Sequence, residues 1–125
     1  MTIFLSMEDV LQIHADAITH EGGDQGVRDL GLLESALAQP PAQYFGEAIH
    51  PDLACQAAAY AFHLTSNHAF VDGNRRVGFA SVCVFLKANR AKNVDYFGLA
   101  KLILSIAEGV KSKQDAIDWF HAQGL

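Results

Sequence analysis

The chain of 125 residues has only two cysteines, three prolines and one tryptophan, and no surplus of positive charge. Two cysteines exclude a disulfide framework, and Cys55 and Cys83 both stand among apolar residues. That setting describes reduced core thiols, because a free cysteine behaves as a small buried hydrophobe. No further ligands stand near them at metal spacing, so a two-cysteine zinc site is not expected. His63 and His68, five apart, fall on different faces of a helix and make no metal pair. His14, His20, His50 and His121 show no useful spacing and read as surface or satisfied histidines. The formal charge of −5 argues against a broad nucleic-acid surface, which needs a basic patch. The longest clearly apolar runs reach about ten residues, half of the roughly 20 that cross a bilayer. Met1-Thr2-Ile3-Phe4-Leu5 has neither a basic start nor a long apolar stretch, so no signal peptide is read and a cytoplasmic location is expected. Linkers, internal repeats and low-complexity segments are missing too.

Half of the residues are hydrophobic, enough for one core and a single domain over residues 1–125. The apolar spacing is helical almost throughout. Ser6 caps a first helix that carries Met7, Val10, Leu11, His14 and Ile18 and stops at Glu21-Gly22-Gly23. Arg28 to Gln39 reads as a second helix, with Leu30, Leu33 and Leu37 in one stripe and Pro40-Pro41 as its stop. Ala42 to His50 is irregular and holds Tyr44-Phe45-Gly46; it is either a loop tucked against the core or a projecting flap. Pro51 and Asp52 open a third helix that runs to Ser66. A fourth runs from Gly73 to about Asn89, a fifth from Tyr96 to Ala107, and a sixth, capped by Ser112, to Ala122. The expected fold is all-α, a compact bundle of about six helices.

The third and fourth helices are apolar on nearly all sides, as central helices are. Between them lies Asn67-His68-Ala69-Phe70-Val71-Asp72-Gly73-Asn74-Arg75-Arg76. A polar loop joining two buried helices must surface at one end of the core. The following helix then turns its unpaired first N–H groups and the positive end of its dipole towards that loop. Gly73 lets a ligand approach the backbone, and Arg75 and Arg76 bring guanidinium groups suited to phosphate. Asp72 cannot bind a bare phosphate but suits a Mg²⁺ that bridges phosphates; it is also placed to cap the next helix. His68 is the available proton acceptor for a hydroxyl nucleophile. Phe70 reads as the anchor that holds the loop in the core.

His68-Ala69-Phe70-Val71-Asp72-Gly73-Asn74-Arg75-Arg76 resembles the signature loop of the Fic/Doc superfamily, His-x-Phe-x-(Asp/Glu)-(Gly/Ala)-Asn-(Gly/Lys)-Arg. The run from Gly26 to Ala38 is similar to its death-on-curing (Doc) branch. The resemblance implies His68, Asp72 and Arg76 as catalytic residues, Asp72 as the Mg²⁺ ligand, and Gly73, Asn74, Arg75 and Arg76 as the phosphate site. It implies ATP and Mg²⁺ as cofactors and a flap, matched by Ala42 to His50, that pairs with an extended segment of the target. Doc-type members resemble protein kinases in outcome, moving the γ-phosphate of ATP to a hydroxyl of elongation factor Tu, a translation factor. Members that transfer AMP have glycine at the position of Arg75 and a second arginine at that of Phe79. Both departures point to the Doc type. AMP transfer, or a relative that only binds a partner, stand as the alternatives. The family's in-chain inhibitory motif, Ser/Thr-x-x-x-Glu-(Gly/Asn), is absent; Ser105 and Glu108-Gly109 fall one residue short. Inhibition from outside is therefore expected, by an antitoxin whose disordered tail folds into a groove near His68. Neither a nucleic acid nor a membrane is expected as a partner.

Overall fold

In the computed structural model, which describes residues 1–125, helices begin where a short polar side chain takes up the free N–H groups of the first turn. Ser6 does this for α1 (Met7–Glu21): its hydroxyl accepts from the Asp9 N–H, and the Asp9 carboxylate accepts from the Ser6 N–H. Asp29 caps α2 (Leu30–Ala38), and Asp52 caps α3 (Leu53–Ser66). Asp95 caps α5 (Tyr96–Ala107), and Ser112 caps α6 (Lys113–Ala122). In α4 (Asn74–Ala88) the cap position is Gly73, at φ +80°, and no side chain caps it. Asp72 is therefore not the cap of α4. The start of α2 is also corrected, from Arg28 to Leu30. The Arg28 and Asp29 N–H groups both donate to the Ala69 carbonyl, which holds these two residues extended against the loop.

α3 is the axis of the bundle, with α4 and α6 packed most closely on it and α2 and α5 beside them. Its alanines explain the geometry. Ala54, Ala57, Ala58, Ala59 and Ala61 are fully buried, so neighbouring helices approach on several faces at once. At the α3–α4 contact a Cβ added to Gly78 would collide with Thr65 Oγ1. Tyr60, Phe85 and Phe120 fill the space farther along, each fully buried; burial of such a ring contributes about 1.5–3 kcal/mol. The first residues are tied down rather than loose. The Leu5 N–H donates to the Tyr60 hydroxyl, and the Asn89 amide both accepts from the Ile3 N–H and donates to its carbonyl.

Residues 43–49 are not tucked against the core, although His50, where the segment ends, is buried. Gln43–Tyr44 (β1) and Glu47–Ala48 (β2) pair antiparallel, with Gln43 opposite Ala48 and Tyr44 opposite Glu47. Phe45 and Gly46 both have positive φ, the conformation of a two-residue hairpin turn. Tyr44 is 67% exposed and Phe45 89%, which is unusual for adjacent aromatic rings.

Candidate active site

The loop between α3 and α4 is held from three directions. The stretch before α2 pairs with it: the Val71 N–H donates to the Gly26 carbonyl, and Val27 forms a bridge with Phe70. From within, the Asn74 amide closes on the peptide groups of Phe70, accepting from its N–H at 3.1 Å and donating to its carbonyl at 3.0 Å. From α1, the His14 ring stacks on Phe70 at 3.9 Å, and its Nε2 lies 2.8 Å from the Asp72 carbonyl. Phe70 itself is 2% exposed and anchors the loop as expected.

His68 stands outside this clamp. Its φ is +52°, a left-handed conformation uncommon for a residue with a side chain and costing about 1–3 kcal/mol where it is imposed. The Arg28 guanidinium donates through Nε to the His68 carbonyl at 2.8 Å. The backbone is thereby fixed while the imidazole stays exposed. Asp72 accepts one N–H at each carboxylate oxygen, from Asp24 at 3.2 Å and Gly73 at 2.8 Å. Those two donors, Asp24 first, hold its pKa below the usual carboxylate value, so the group is ionised at neutral pH.

The two arginines are not equivalent. Arg76 is half-buried and donates to the Gly22 carbonyl at 2.7 Å, with Glu21 and Asp72 carboxylates at 3.8 and 3.9 Å. Gly23 makes this possible: a Cβ there would meet Asp72 Oδ2 at 2.6 Å and Arg76 Nη2 at 3.0 Å. Arg75 is exposed and makes neither an ion pair nor a hydrogen bond within the chain. The N–H groups of Asn74, Arg75 and Arg76 have no acceptor in the chain, the first helical bond of α4 being Val77 to Gly73. Since the Asn74 side chain is engaged with Phe70, its free group towards a ligand is this backbone N–H.

These residues line one cleft of about 380 Å³. Its walls are Thr65, His68, Val71, Asp72, Gly73, Asn74, Arg75 and Arg76, closed by Ala107 and Glu108 at the end of α5. All the expected site residues are thus brought together. Three helix N–H groups and one free guanidinium suit a phosphate chain, and one ionised carboxylate and one exposed imidazole stand beside them. A single carboxylate with room beside it also fits Mg²⁺, which keeps waters and takes its remaining oxygens from phosphates.

A second, apolar groove of about 510 Å³ runs beside Arg75 and Arg76, between α1, α4 and α5. Its walls include Ala17, Phe79, Ala80, Ala100, Ile103 and Leu104. Phe79 therefore lines this groove and not the cleft of His68.

Two histidines escape a reading by spacing. His14 is buried on the loop, as above. His121 donates from Nε2 to Asp52 at 2.9 Å, and Asp52, Cys55 and His121 place one donor atom each within 4.8 Å of one another. This cluster was not visible from the spacing around Cys55. It is complete as a helix cap and side-chain hydrogen bond, since Asp52 also accepts the Cys55 N–H. Burial pushes the Cys55 thiol up to about 11, and the positive end of α3 stands against a cation there. Cys83 lies apart from it with its thiol also raised by burial, to about 11.

Loop, helix pair and phosphate-ready helix start define a class, and the chain belongs to the Fic/DOC family, which it matches over residues 4–86. Its relatives there include Doc proteins. It is 44% identical to Toxin Doc of Mycolicibacterium smegmatis over 71% of this chain and 66% of that one. It is 30% identical to Protein kinase doc of Escherichia phage P1 over 91% of this chain and 90% of that one. No helix is long and apolar enough to cross a membrane.

Proposed function

We propose that the chain is the toxin of a toxin–antitoxin pair. It transfers the γ-phosphate of ATP to a hydroxyl of a translation factor, which by family resemblance is elongation factor Tu. The observation that carries this reading is the pairing of a free cation at position 75 with an apolar ring at position 79. In an AMP-transfer pose the β- and γ-phosphates lie deep over the start of α4 and need a small residue at 75 and a cation at 79. Here the terminal phosphate would meet the bulk of Arg75 and find the apolar Phe79 ring where the second cation is needed, and a charge that lacks its partner away from water is costly. In the reverse pose the γ-phosphate lies beside His68, within reach of Arg75. The relative named Protein kinase doc is consistent with this orientation.

The chain's own residues then divide the work. His68 accepts the proton of the target hydroxyl as that oxygen attacks phosphorus, a step that contributes about a hundred- to ten-thousand-fold. Arg75 and the N–H groups of Asn74, Arg75 and Arg76 bind the phosphate oxygens and take up the charge that develops on them. Asp72 would hold Mg²⁺, which when bound neutralises phosphate charge. Arg76, braced on the Gly22 carbonyl, fixes the wall of the site and presents its remaining N–H groups to it.

The exposed hairpin is the docking element for the target. Its root at the start of α3 lies one α3 length from the loop, about 20 Å, which an extended target segment of about six residues spans. The apolar groove beside Arg75 takes an amphipathic helix of the antitoxin, which would cover the phosphate site from the side. The test is a pair of incubations of the purified chain with a cell lysate. ATP labelled on the γ-phosphate should mark a protein the size of an elongation factor, and ATP labelled on the α-phosphate should not. The opposite pattern would make the protein an AMP transferase.

A further inference from the structure

α1 is more than packing for the loop. Along one face it presents His14, Ala17 and Ile18, and beyond its end Gly22. The Ala17 and Gly22 carbonyls accept from Arg76, and Ile18 lies under Gly73, where an added Cβ would meet its Cδ1 at 3.1 Å. His14 is the polar member of that face that reaches the loop backbone. It is 3% exposed, so its orientation is set by what it touches. The Phe70 ring fixes its plane, at 3.9 Å and 12° from parallel. The Asp72 carbonyl fixes its edge, at 2.8 Å from Nε2. A carbonyl oxygen only accepts, so Nε2 carries the proton and donates.

We propose that His14 is a positioning residue for phosphate transfer: its Nε2–H holds the Asp72–Gly73 peptide in the one orientation that presents the Asp72 carboxylate and the first N–H groups of α4 to the same cleft. The peptide needs such a hold. Gly73 sits at φ +80° without a side-chain cap, and a glycine there has little intrinsic preference between left- and right-handed states. Rotation of that peptide would move the Gly73 N–H away from Asp72 Oδ1, to which it donates at 2.8 Å. One imidazole thus bridges the loop's hydrophobic anchor, Phe70, and the backbone carbonyl of Asp72, whose carboxylate would hold the metal. The inference rests on the reading of the loop as a Mg²⁺–phosphate site.

Two substitutions separate the donor from the ring. His14→Phe keeps an aromatic ring over Phe70 and removes the donor. His14→Gln places an amide nitrogen near the position of Nε2 and gives up the stack. The readouts are Mg²⁺-dependent ATP binding by calorimetry, with thermal melting as the control for folding, and the amide resonances of Gly73, Asn74 and Arg75 without any ligand. His14→Phe should raise the Mg²⁺ concentration needed for ATP binding about tenfold, the low end of what losing an orienting partner costs a metal ligand. It should also shift the three amide resonances, while His14→Gln restores most of both. Parent-like Mg²⁺ dependence and parent-like amides in a folded His14→Phe would overturn the proposal. So would equal losses in the two variants, since restoring a donor would then restore nothing. If His14→Phe does not fold, His14→Gln decides alone: parent-like metal dependence supports the donor and a tenfold loss refutes it. If the unaltered chain bound no Mg²⁺–ATP, the functional reading would fall, yet the ligand-free amide resonances would still report on His14.

Discussion

The signature loop and the hairpin are both short irregular segments next to α3, and they are built in opposite ways. The loop is bonded at nearly every residue, with Asn74, His14, Arg28 and the Gly26 carbonyl each holding a different part of it. Between Gln43 and Ile49 the hairpin is held by its own two-residue ladder and one closing bond, from the Ile49 N–H to the Ala42 carbonyl, and only its ends are tied to the helices, the Ala42 N–H to the Gln39 carbonyl and the His50 carbonyl to the Gln56 amide. The loop hides its aromatic ring, whereas the hairpin exposes two. A phosphate site has to be in place before its ligand arrives, because stabilisation of developing charge depends on dipoles that need no rearrangement. A surface that receives another protein's chain gains from being able to adjust. On the function proposed above, the difference in anchoring separates a centre for chemistry from a surface for recognition.

The largest effect expected from breaking this comparison is at His68. Overproduced without a partner, the parent chain should arrest growth, and His68→Ala should not, with transfer reduced by about a hundred-fold or more. Its melting temperature should stay within a few degrees of the parent, because an exposed side chain carries little of the fold. A folded His68→Ala chain that still arrests growth would remove the imidazole from the mechanism.

A smaller change is expected at the hairpin. Tyr44→Ser with Phe45→Ser should raise the KM for the protein target about tenfold, the order of losing one or two buried contacts. ATP binding should not change. Should ATP binding weaken as well, the two segments would be coupled and the division drawn above would fail.

The smallest effect concerns α3, which separates the two. Burial, reinforced by the Lys113 charge and then by His50, holds the His63 imidazole down to about 4, and no partner meets its Nε2. Unfolded, the same group titrates near 6.5. As pH falls through 6.5, the unfolded chain takes up a proton that the folded chain refuses until about 4. Stability is therefore full above 6.5 and declines below it. Urea unfolding at pH 7 and pH 5 should differ by about 1–2 kcal/mol on this account, and His63→Leu should remove most of that difference. An unchanged difference in His63→Leu would place the acid sensitivity elsewhere.

What was legible in the sequence follows from the range of the interactions. Caps and apolar spacing act over three or four residues, so Ser6 and Ser112 mark their helices and the all-α bundle is readable, while Pro51 and Asp52, read as a first turn, stand just before α3 with Asp52 as its cap. The cleft residues are readable for the same reason, since His68 to Arg76 lie within nine positions. Asp29 as the cap of α2 is an equally local signal, obscured by the charged pair Arg28-Asp29, which reads as a first turn. His14 and Asp72 are 58 positions apart and Asp52 and His121 are 69 apart; no local pattern announces either pair. The engagement of the Asn74 amide by Phe70 is local, but a resemblance that assigns asparagine to phosphate directs attention away from it. The hairpin rests on two positive-φ residues, Phe45 and Gly46, and only the glycine is a turn signal.

The span between His14 and Asp72 has a consequence for how the centre comes into being. α1 leaves the ribosome long before the loop that it must hold, and the two meet only after a segment of that length has been closed. Closing it costs chain entropy that no single bond recovers; the packing of α1 on α4 has to supply it. The cleft therefore takes its final form only once α1 is docked, and a chain short of that step has its imidazole and its arginines but not the hold of His14 on the peptide between them. A nick or an insertion in the exposed stretch from Gly22 to Arg28 would act at this point, leaving the helices formed and the centre unassembled.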